Sequence, residues 1–237
     1  WEPTAKSFVY DNIDTYDRYY AYSDLYRYDI DTKKIMAITR GARATEPAVS
    51  PDGQWIAFVQ NYTGGTRLAI VKRDGTDLHT LYDPGIQQRV SWPEFIANDE
   101  IIFSERQASA TAAPAATGKP VVTDVLKKIK ITDEKPKTVL EQFANIRFAK
   151  NTREGILFTS SDSGVTNIYL SSADFSKIRA ISNTTTSIVN ADIDPLSRDL
   201  LYSELDSDGP HIYSIAATDW RKQPESPPKV QTVEPIP

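Results

Sequence analysis

The sequence predicts an all-β fold, a β-propeller of four-stranded antiparallel blades. An aromatic residue recurs seven positions after a proline in three distant segments, at Tyr10, Phe58 and Tyr202. Degenerate copies of this pattern end at Phe103 and Phe158, so successive aromatic anchors lie 48, 45, 55 and 44 residues apart. A period of about 40 to 50 residues, built from short strands and turns, is typical of a propeller blade. We expect about five blades here, within a ring of six or seven.

An alternating strand follows each aromatic anchor and marks the same repeat a second time. These strands are centred near Leu25, Leu68, Leu126, Ile168 and Ile212. Both series contain one oversized interval, and segment 107–120 accounts for the excess in each. Its Ala, Thr and Pro residues offer too little large apolar surface to offset the entropy of ordering them. We therefore expect a disordered insertion there.

The second repeat shows how the strands of one blade are assigned. EPAV is a short inner strand, SPDG is a tight turn, and WIAFVQ, TRLAIVK and DLHTLY are the next three strands. The first repeat differs because Trp1 aligns with Val49, at the end of an inner strand, so we expect the first blade to lack that strand. The predicted blades of this single propeller domain are 1–40, 41–83, 84–141, 142–183 and 184–237.

Composition limits the classes of function. The chain has 40% hydrophobic and 25% charged residues and a net charge of -5, which is ordinary for a globular protein. The negative charge argues against a nucleic-acid partner, which requires a basic face. No apolar run approaches the roughly 20 residues of a membrane span. The absence of cysteine excludes disulfides and thiolate chemistry.

The sequence predicts no catalytic residue. The motifs of serine hydrolases, zinc proteases and nucleotide-binding loops are absent, and the chain has two histidines. His79 lies on the solvent side of a predicted outer strand, and His211 begins another strand. A surface role fits each of them better than a role as general base.

Two acidic clusters are candidates for binding Ca²⁺. Carboxylate oxygens are the ligands this ion prefers, but neither cluster matches a full calcium-loop signature. The favoured alternative is solvated turn residues that form Asx-turns, so we expect no bound metal. The clusters consist of Asp11, Asp14 and Asp17, and of Glu204, Asp206 and Asp208.

The longer loops predict the binding side of the propeller. In a four-stranded blade, the loop between the second and third strands emerges on the same face as the connection between blades. That face would hold the loop 11–24, and long loops on a rigid scaffold carry function. We predict an aromatic lip and a basic and amide rim that suit an extended peptide or a loop bearing carboxylates. The predicted binding residues are Tyr16, Tyr19, Tyr20, Tyr22, Arg40, Arg43, Gln87, Arg89, Asn145, Arg147 and Asn190.

Three stretches resemble the WD-repeat-like blades of TolB-type propellers. They are AVSPDGQWIAFV, FTSSDSGVTNIYLSSADFSKIRAISN and YRYDIDTKKIMAITRGARATEPAVSPDG. The similarity covers nearly the whole chain and is weakest at 83–150. It implies a bacterial, exported or periplasmic, non-enzymatic module that binds a protein or peptide partner. Related propellers gate substrate access in prolyl-oligopeptidase-like enzymes, so a gating or regulatory domain of a larger hydrolase is the alternative.

Overall fold

Five antiparallel sheets make up the chain in a computed structural model that describes residues 1–86, 88–108, 122–143 and 145–222. Each sheet is built from strands consecutive in sequence, which is the topology of a propeller blade. The all-β prediction with about five blades is confirmed. The chain divides into two compact units, Trp1–Glu141 and Gln142–Pro237.

The first unit contains three blades. Blade 1 has three described strands, as expected from the sequence, and blades 2 and 3 have four each. In blade 1 they are β1 (Ser7–Tyr16), β2 (Tyr20–Asp29) and β3 (Ile35–Ala37). In blade 2 they are β4 (Ala44–Val49), β5 (Trp55–Tyr62), β6 (Gly65–Lys72) and β7 (His79–Tyr82). In blade 3 they are β8 (Arg89–Phe95), β9 (Glu100–Ala108), β10 (Val122–Lys130) and β11 (Lys137–Leu140).

The second unit contains two blades and a single turn of helix. In blade 4 the strands are β12 (Arg147–Thr152), β13 (Gly155–Ser160), β14 (Asn167–Ser171) and β15 (Ile178–Ala180). In blade 5 they are β16 (Ile188–Ile193), β17 (Leu200–Asp206) and β18 (Gly209–Ile215), followed by α1 (Ala217–Trp220). The predicted fourth strand of blade 5 falls beyond residue 222, outside the described residues. Within the described ranges, no helix has the length and apolar character needed to cross a membrane.

Apolar packing between neighbouring blades forms the core of each unit. Ile56, Phe58 and Val71 of blade 2 pack with Leu25 and other residues of blade 1. A second cluster joins blades 2 and 3, and a third joins blades 4 and 5 in the second unit. Both faces of β6 are covered, so the predicted in–out alternation of TRLAIVK is wrong. The four residues 68–71 of β6 are all buried.

The aromatic anchors lie on β1, β5, β9, β13 and β17, which occupy the same position in the repeat and confirm its register. The anchors on β5, β9 and β13 are fully buried, whereas those on β1 and β17 are half-buried. The SPDG turn is stabilised by Asp52, whose Oδ1 accepts a hydrogen bond from Ser50 Oγ at 2.6 Å. Gly53 completes the turn at φ 70°, a conformation that favours glycine.

Two sequence predictions require correction. The predicted loop 11–24 is a hairpin, because β1 and β2 pair in continuous register from Ser7 to the end of β1. The predicted insertion 107–120 begins too early, since Gln107 and Ala108 belong to β9 and pair with β10. The rest of that segment lies outside the described residues.

The buried anchor of blade 2 gives a test of the interblade core. Replacing a fully buried phenylalanine by alanine removes apolar contacts and leaves a cavity, so Phe58→Ala should lower the free energy of unfolding by about 3–5 kcal/mol. Urea denaturation followed by circular dichroism measures the change. Tyr19→Ala is the control, since this side chain is 87% exposed and should shift stability by less than about 0.5 kcal/mol. Equal losses in both variants would contradict the assigned core.

Candidate functional site

The tip of the β1–β2 hairpin presents two exposed tyrosines. Asp17 and Arg18 occupy the turn at φ 50° and 64°, the left-handed conformation of tight hairpin turns. Tyr19 N donates to Tyr16 O at 3.1 Å and closes the turn. The side chain of Tyr19 is 87% exposed and that of Tyr20 is 55% exposed. The hairpin therefore holds two large aromatic rings in solvent.

The buried carboxylate of Asp24 anchors this hairpin to the connection between blades 1 and 2. It accepts hydrogen bonds from Thr39 Oγ1 at 2.7 Å, Gly41 N at 2.7 Å, Ala42 N at 2.9 Å and the Tyr16 hydroxyl. Burial alone would raise the pKa of Asp24, but these donors outweigh it and hold the pKa below its ordinary value. The hairpin tip and the interblade connection thus lie at the same end of blade 1, as the sequence predicted.

Blade 4 repeats part of this anchor with a neutral side chain. Asn167 Oδ1 accepts hydrogen bonds from Ser182 Oγ at 2.8 Å and from Thr184 N at 3.0 Å. Asp24 directly precedes Leu25 in blade 1. In the same way, Asn167 directly precedes Ile168, the residue of blade 4 that is equivalent to Leu25 in the repeat. The anchor is therefore common to blades 1 and 4. Sequence reasoning missed it, although an Asp or Asn directly before Leu25 and Ile168 was the available signal.

Arg43 organises the tyrosines on one side of the hairpin. Its guanidinium carbon lies 4.3 Å from the ring centroid of Tyr22, and its Nη2 donates to the Tyr22 hydroxyl at 3.0 Å. Tyr20 stacks on Tyr22 with centroids 6.1 Å apart and an interplanar angle of 4°. The ring centroids of Tyr16 and Tyr22 lie 5.8 Å apart. Together with Tyr19, these residues form what we call the tyrosine–arginine surface.

The predicted rim residues of the first unit are solvent-facing where they are described. Arg40 is exposed next to Gly41, and Arg89 is exposed at the first position of β8. Gln87 lies outside the described residues. Arg43, by contrast, contacts Tyr22 of the predicted aromatic lip.

The remaining predicted rim residues belong to the second unit. Asn145 donates from Nδ2 to Ser161 Oγ at 2.7 Å, and Asn190 Oδ1 accepts from Ala191 N at 2.7 Å. Arg147 is exposed at the first position of β12. Both amides are therefore engaged within their own blades, and a rim shared by all these residues stays a prediction.

Two members of the first acidic cluster lie on β1, and Asp17 lies in the turn that follows. Asp11 and Asp14 are strand residues, so their predicted role in Asx-turns is wrong. Asp11 Oδ1 accepts from Glu46 N at 3.3 Å, and Asp14 Oδ2 accepts from the Tyr26 hydroxyl at 3.0 Å. In the described part of the chain, no three His, Asp or Glu side chains converge as metal ligands would.

Glu46 is a second carboxylate that the sequence did not reveal. It sits at a β-bulge between β4 and β5 with φ 56°, and its Oε2 accepts the backbone N–H of Trp92 at 2.5 Å. Burial, and then the nearby charge of Asp11, raise the pKa of Glu46. A bulge changes the direction in which a side chain points. The in–out alternation of side chains along a regular strand therefore could not predict where the Glu46 side chain points.

Both histidines lie in strands and are exposed, as the sequence predicted. His79 is the first residue of β7, and its Nδ1 lies 2.9 Å from Asp77 O. His211 belongs to β18.

The Asp24 anchor predicts a specific loss of stability. Asp24→Ala should lower the free energy of unfolding by about 2–4 kcal/mol, because it leaves the buried N–H group of Ala42 and the buried hydroxyl of Thr39 without this acceptor. Asp24→Asn keeps an acceptor, as Asn167 does in blade 4, and should cost less. Since the pKa of Asp24 is depressed, its stabilisation is present above the ordinary value of about 3.9 and is lost as pH falls through the lower folded value.

Urea midpoints at pH 7 and pH 3 for the two variants and the unmodified chain measure these effects. A loss of stability in Asp24→Ala that equals the loss in Asp24→Asn would contradict the assigned role of the carboxylate.

Comparison with known proteins supports the fold. No family model matches the chain. An uncharacterized protein of Agrobacterium fabrum, Atu1656, is 30% identical over 115 residues, which are 48% of this chain and 37% of that protein. TolB from Acinetobacter baumannii superposes with a TM-score of 0.70 at 14% identity, over 93% of this chain and 51% of TolB. This chain thus spans about half the length of that TolB.

Two further solved structures are similar over almost all of this chain. A provisionally assigned TolB from Agrobacterium tumefaciens has a TM-score of 0.66 at 13% identity, with 91% of this chain and 75% of that one covered. A prolyl endopeptidase has a TM-score of 0.62 at 12% identity, and the match covers 92% of this chain and 33% of that enzyme. At these identities the similarity shows the fold. The chain is a β-propeller whose structural neighbours include TolB-like proteins.

Proposed function

We propose that the chain is a non-enzymatic, TolB-like propeller module, with blades of the SPDG-turn repeat type, that binds a protein or peptide partner through the tyrosine–arginine surface. The observation that carries this proposal is the exposure of Tyr19 and Tyr20 on a hairpin held in place by Asp24. Tyrosine buries a large area on binding, loses little rotamer entropy and keeps a polar tip.

Pre-organisation supports a binding role for this surface. The stacking of Tyr20 on Tyr22, together with the contact to Arg43, orders three side chains before any partner arrives. Ordering side chains in advance lowers the entropic cost of association. Arg43 also offers N–H donors to a partner carboxylate. Loop segments or extended peptides that bear Asp or Glu therefore suit this surface.

The proposed location is the periplasm of a bacterial cell envelope. Two structural neighbours carry a TolB designation, and the absence of cysteine is compatible with an oxidising compartment.

A gating or regulatory propeller of a larger hydrolase is the second candidate. The similarity to a prolyl endopeptidase favours it. The match covers 92% of this chain but 33% of that enzyme, as expected if this chain resembles one domain of a larger protein. Under this alternative, the tyrosine–arginine surface would contact a substrate peptide instead of a stable partner.

Substitution at the hairpin tip tests the binding role. The double variant Tyr19→Ala/Tyr20→Ala should weaken binding by more than about 1 kcal/mol, roughly fivefold in Kd, because it removes the two exposed tyrosine rings of the hairpin tip. The partner is isolated by photo-crosslinking from position 19 in a periplasmic extract, purified, and titrated by calorimetry. Arg43→Ala combined with Arg89→Ala should weaken binding by a similar amount.

Ser197→Ala is the matched control, since Ser197 lies in a turn between β16 and β17 and outside the proposed surface. The binding role is wrong if this control loses affinity while the hairpin variants, equally stable, do not.

Purified chain should show no turnover. Neither histidine is placed beside a nucleophile by the described contacts, and no nucleophile motif occurs in the sequence. Peptide, ester and glycoside substrates should be hydrolysed at the rate of the buffer blank. A rate above this blank that disappears in His79→Ala or His211→Ala would contradict the non-enzymatic assignment.

A further inference from the structure

A cleft of about 530 Å³ lies between blades 1 and 2, beside the end of β2 that is remote from the hairpin tip. Strands β2, β5 and β6 each contribute a residue to its wall, and each of them is paired on both sides. Arg27 and Met36, which are cross-strand partners, line it from blade 1. Blade 2 contributes Gln54, Trp55 and the segment 72–74. Clefts of this volume are typical of sites for small organic ligands.

A buried carboxylate holds two arginines at the wall of this cleft. The side chain of Glu2 is 2% exposed, and its Oε1 lies 2.7 Å from Arg27 Nε. Arg73 binds Glu2 through two N–H groups, from Nε to Oε1 at 3.1 Å and from Nη2 to Oε2 at 2.6 Å. Among the described residues, the Nη1 group of neither arginine has a hydrogen-bond partner. We call Glu2, Arg27 and Arg73 the arginine cluster.

The equivalent positions between blades 2 and 3 are apolar. In the repeat register, Arg27 corresponds to Ile70. Arg73 corresponds to Ile131, since each donates its N–H to the residue that precedes β5 or β9. Ile70 and Ile131 belong to the apolar cluster that joins blades 2 and 3. Because buried ions carry a desolvation cost that apolar side chains avoid, the repeat does not require the arginine cluster, and its presence favours a role in binding.

The charges around the cleft select a ligand with one negative charge. The arginine cluster combines two guanidinium groups with one carboxylate and keeps one net positive charge. Lys72 is paired with Asp77 at 3.3 Å, so these two charges cancel. Asp74 also lines the cleft, and hydrogen bonds from Thr76 lower its pKa, so it stays ionised. A second negative charge on the ligand would be repelled by Asp74.

The apolar part of the wall indicates the rest of the ligand. Met36 is 57% exposed and lies directly opposite Arg27 in the pairing of β2 with β3. Covering an exposed thioether side chain with an apolar chain is favourable, and methionine adapts to chains of different shape. Guanidinium groups bind planar carboxylates through paired N–H donors. The cleft therefore suits a carboxylate attached to an apolar chain.

We propose that this cleft binds a small organic monocarboxylate, with the carboxylate held by Arg27 and Arg73 and the apolar chain against Met36. This inference goes beyond the proposed partner-binding function, because the cleft and the hairpin tip lie at opposite ends of blade 1. Either site can therefore fail its test without affecting the other.

Met36 is the only methionine of the sequence, so labelling with methyl-13C methionine gives one NMR signal from the wall of the cleft. Titration with octanoate should shift this signal to saturation. Octanamide keeps the chain and lacks the charge, whereas octanedioate adds a second charge. Each should bind at least about tenfold more weakly than octanoate. These comparisons use the unmodified chain and do not depend on the folding of a variant.

Arg73→Met should weaken octanoate binding about tenfold, because it removes one of the two guanidinium groups. Arg153→Met is the matched control, since Arg153 is an exposed turn residue of the second unit, and it should leave the affinity unchanged. No shift of the Met36 signal, equal binding of octanoate and octanamide, or equal losses in both variants overturns the proposal. Tighter binding of an acetylated tripeptide that ends in leucine than of octanoate would overturn the assignment to a small molecule.

Discussion

Pairing between the first and second strands of a blade is the interaction on which the rest of this structure depends. In blade 2 this pairing covers the inner edge of β5, and residues 56–59 become fully buried between neighbouring blades. In blade 1, β1 occupies the same repeat position and is paired on one side among the described residues. The residues of β1 equivalent to 56–59, which are 8–11, are half-buried or exposed.

The interblade core holds the hairpin of blade 1 against blade 2. Leu25 and Val9 attach blade 1 to blade 2, and Asp24 fixes the connection between them. The hairpin is therefore a rigid extension of the scaffold, and its exposed tyrosines keep their positions without a bound partner. Sites on rigid elements hold their geometry better than sites on free loops. The tyrosine–arginine surface thus lies on a hairpin whose base is attached to the interblade core.

The local sequence was sufficient to predict the repeat of the blades, but it was insufficient to predict the contacts of the candidate site. The spacing of Phe58 and its equivalents predicted the blades, because each blade needs a buried anchor on its second strand. The sequence of segment 11–24 predicts a loop because its many Asp and Tyr residues show no apolar face. Its turn also contains no glycine, and the left-handed residues are Asp17 and Arg18. The contacts of Glu46 and Arg43 depend on tertiary packing at a bulge and a connection, which periodicity does not encode.

Native-state hydrogen exchange of the unbound chain tests the central claim most directly. The amides of Val9, Asp11 and Ile13 should exchange much faster than those of Ala57, Val59 and Asn61, their equivalents in the repeat register. The two sets differ in whether a first strand covers them in the described structure, and strand pairing protects an amide up to the stability of its cooperative unit. Equal protection of the two sets would contradict the account, because it would mean that the inner edge of β1 is already paired.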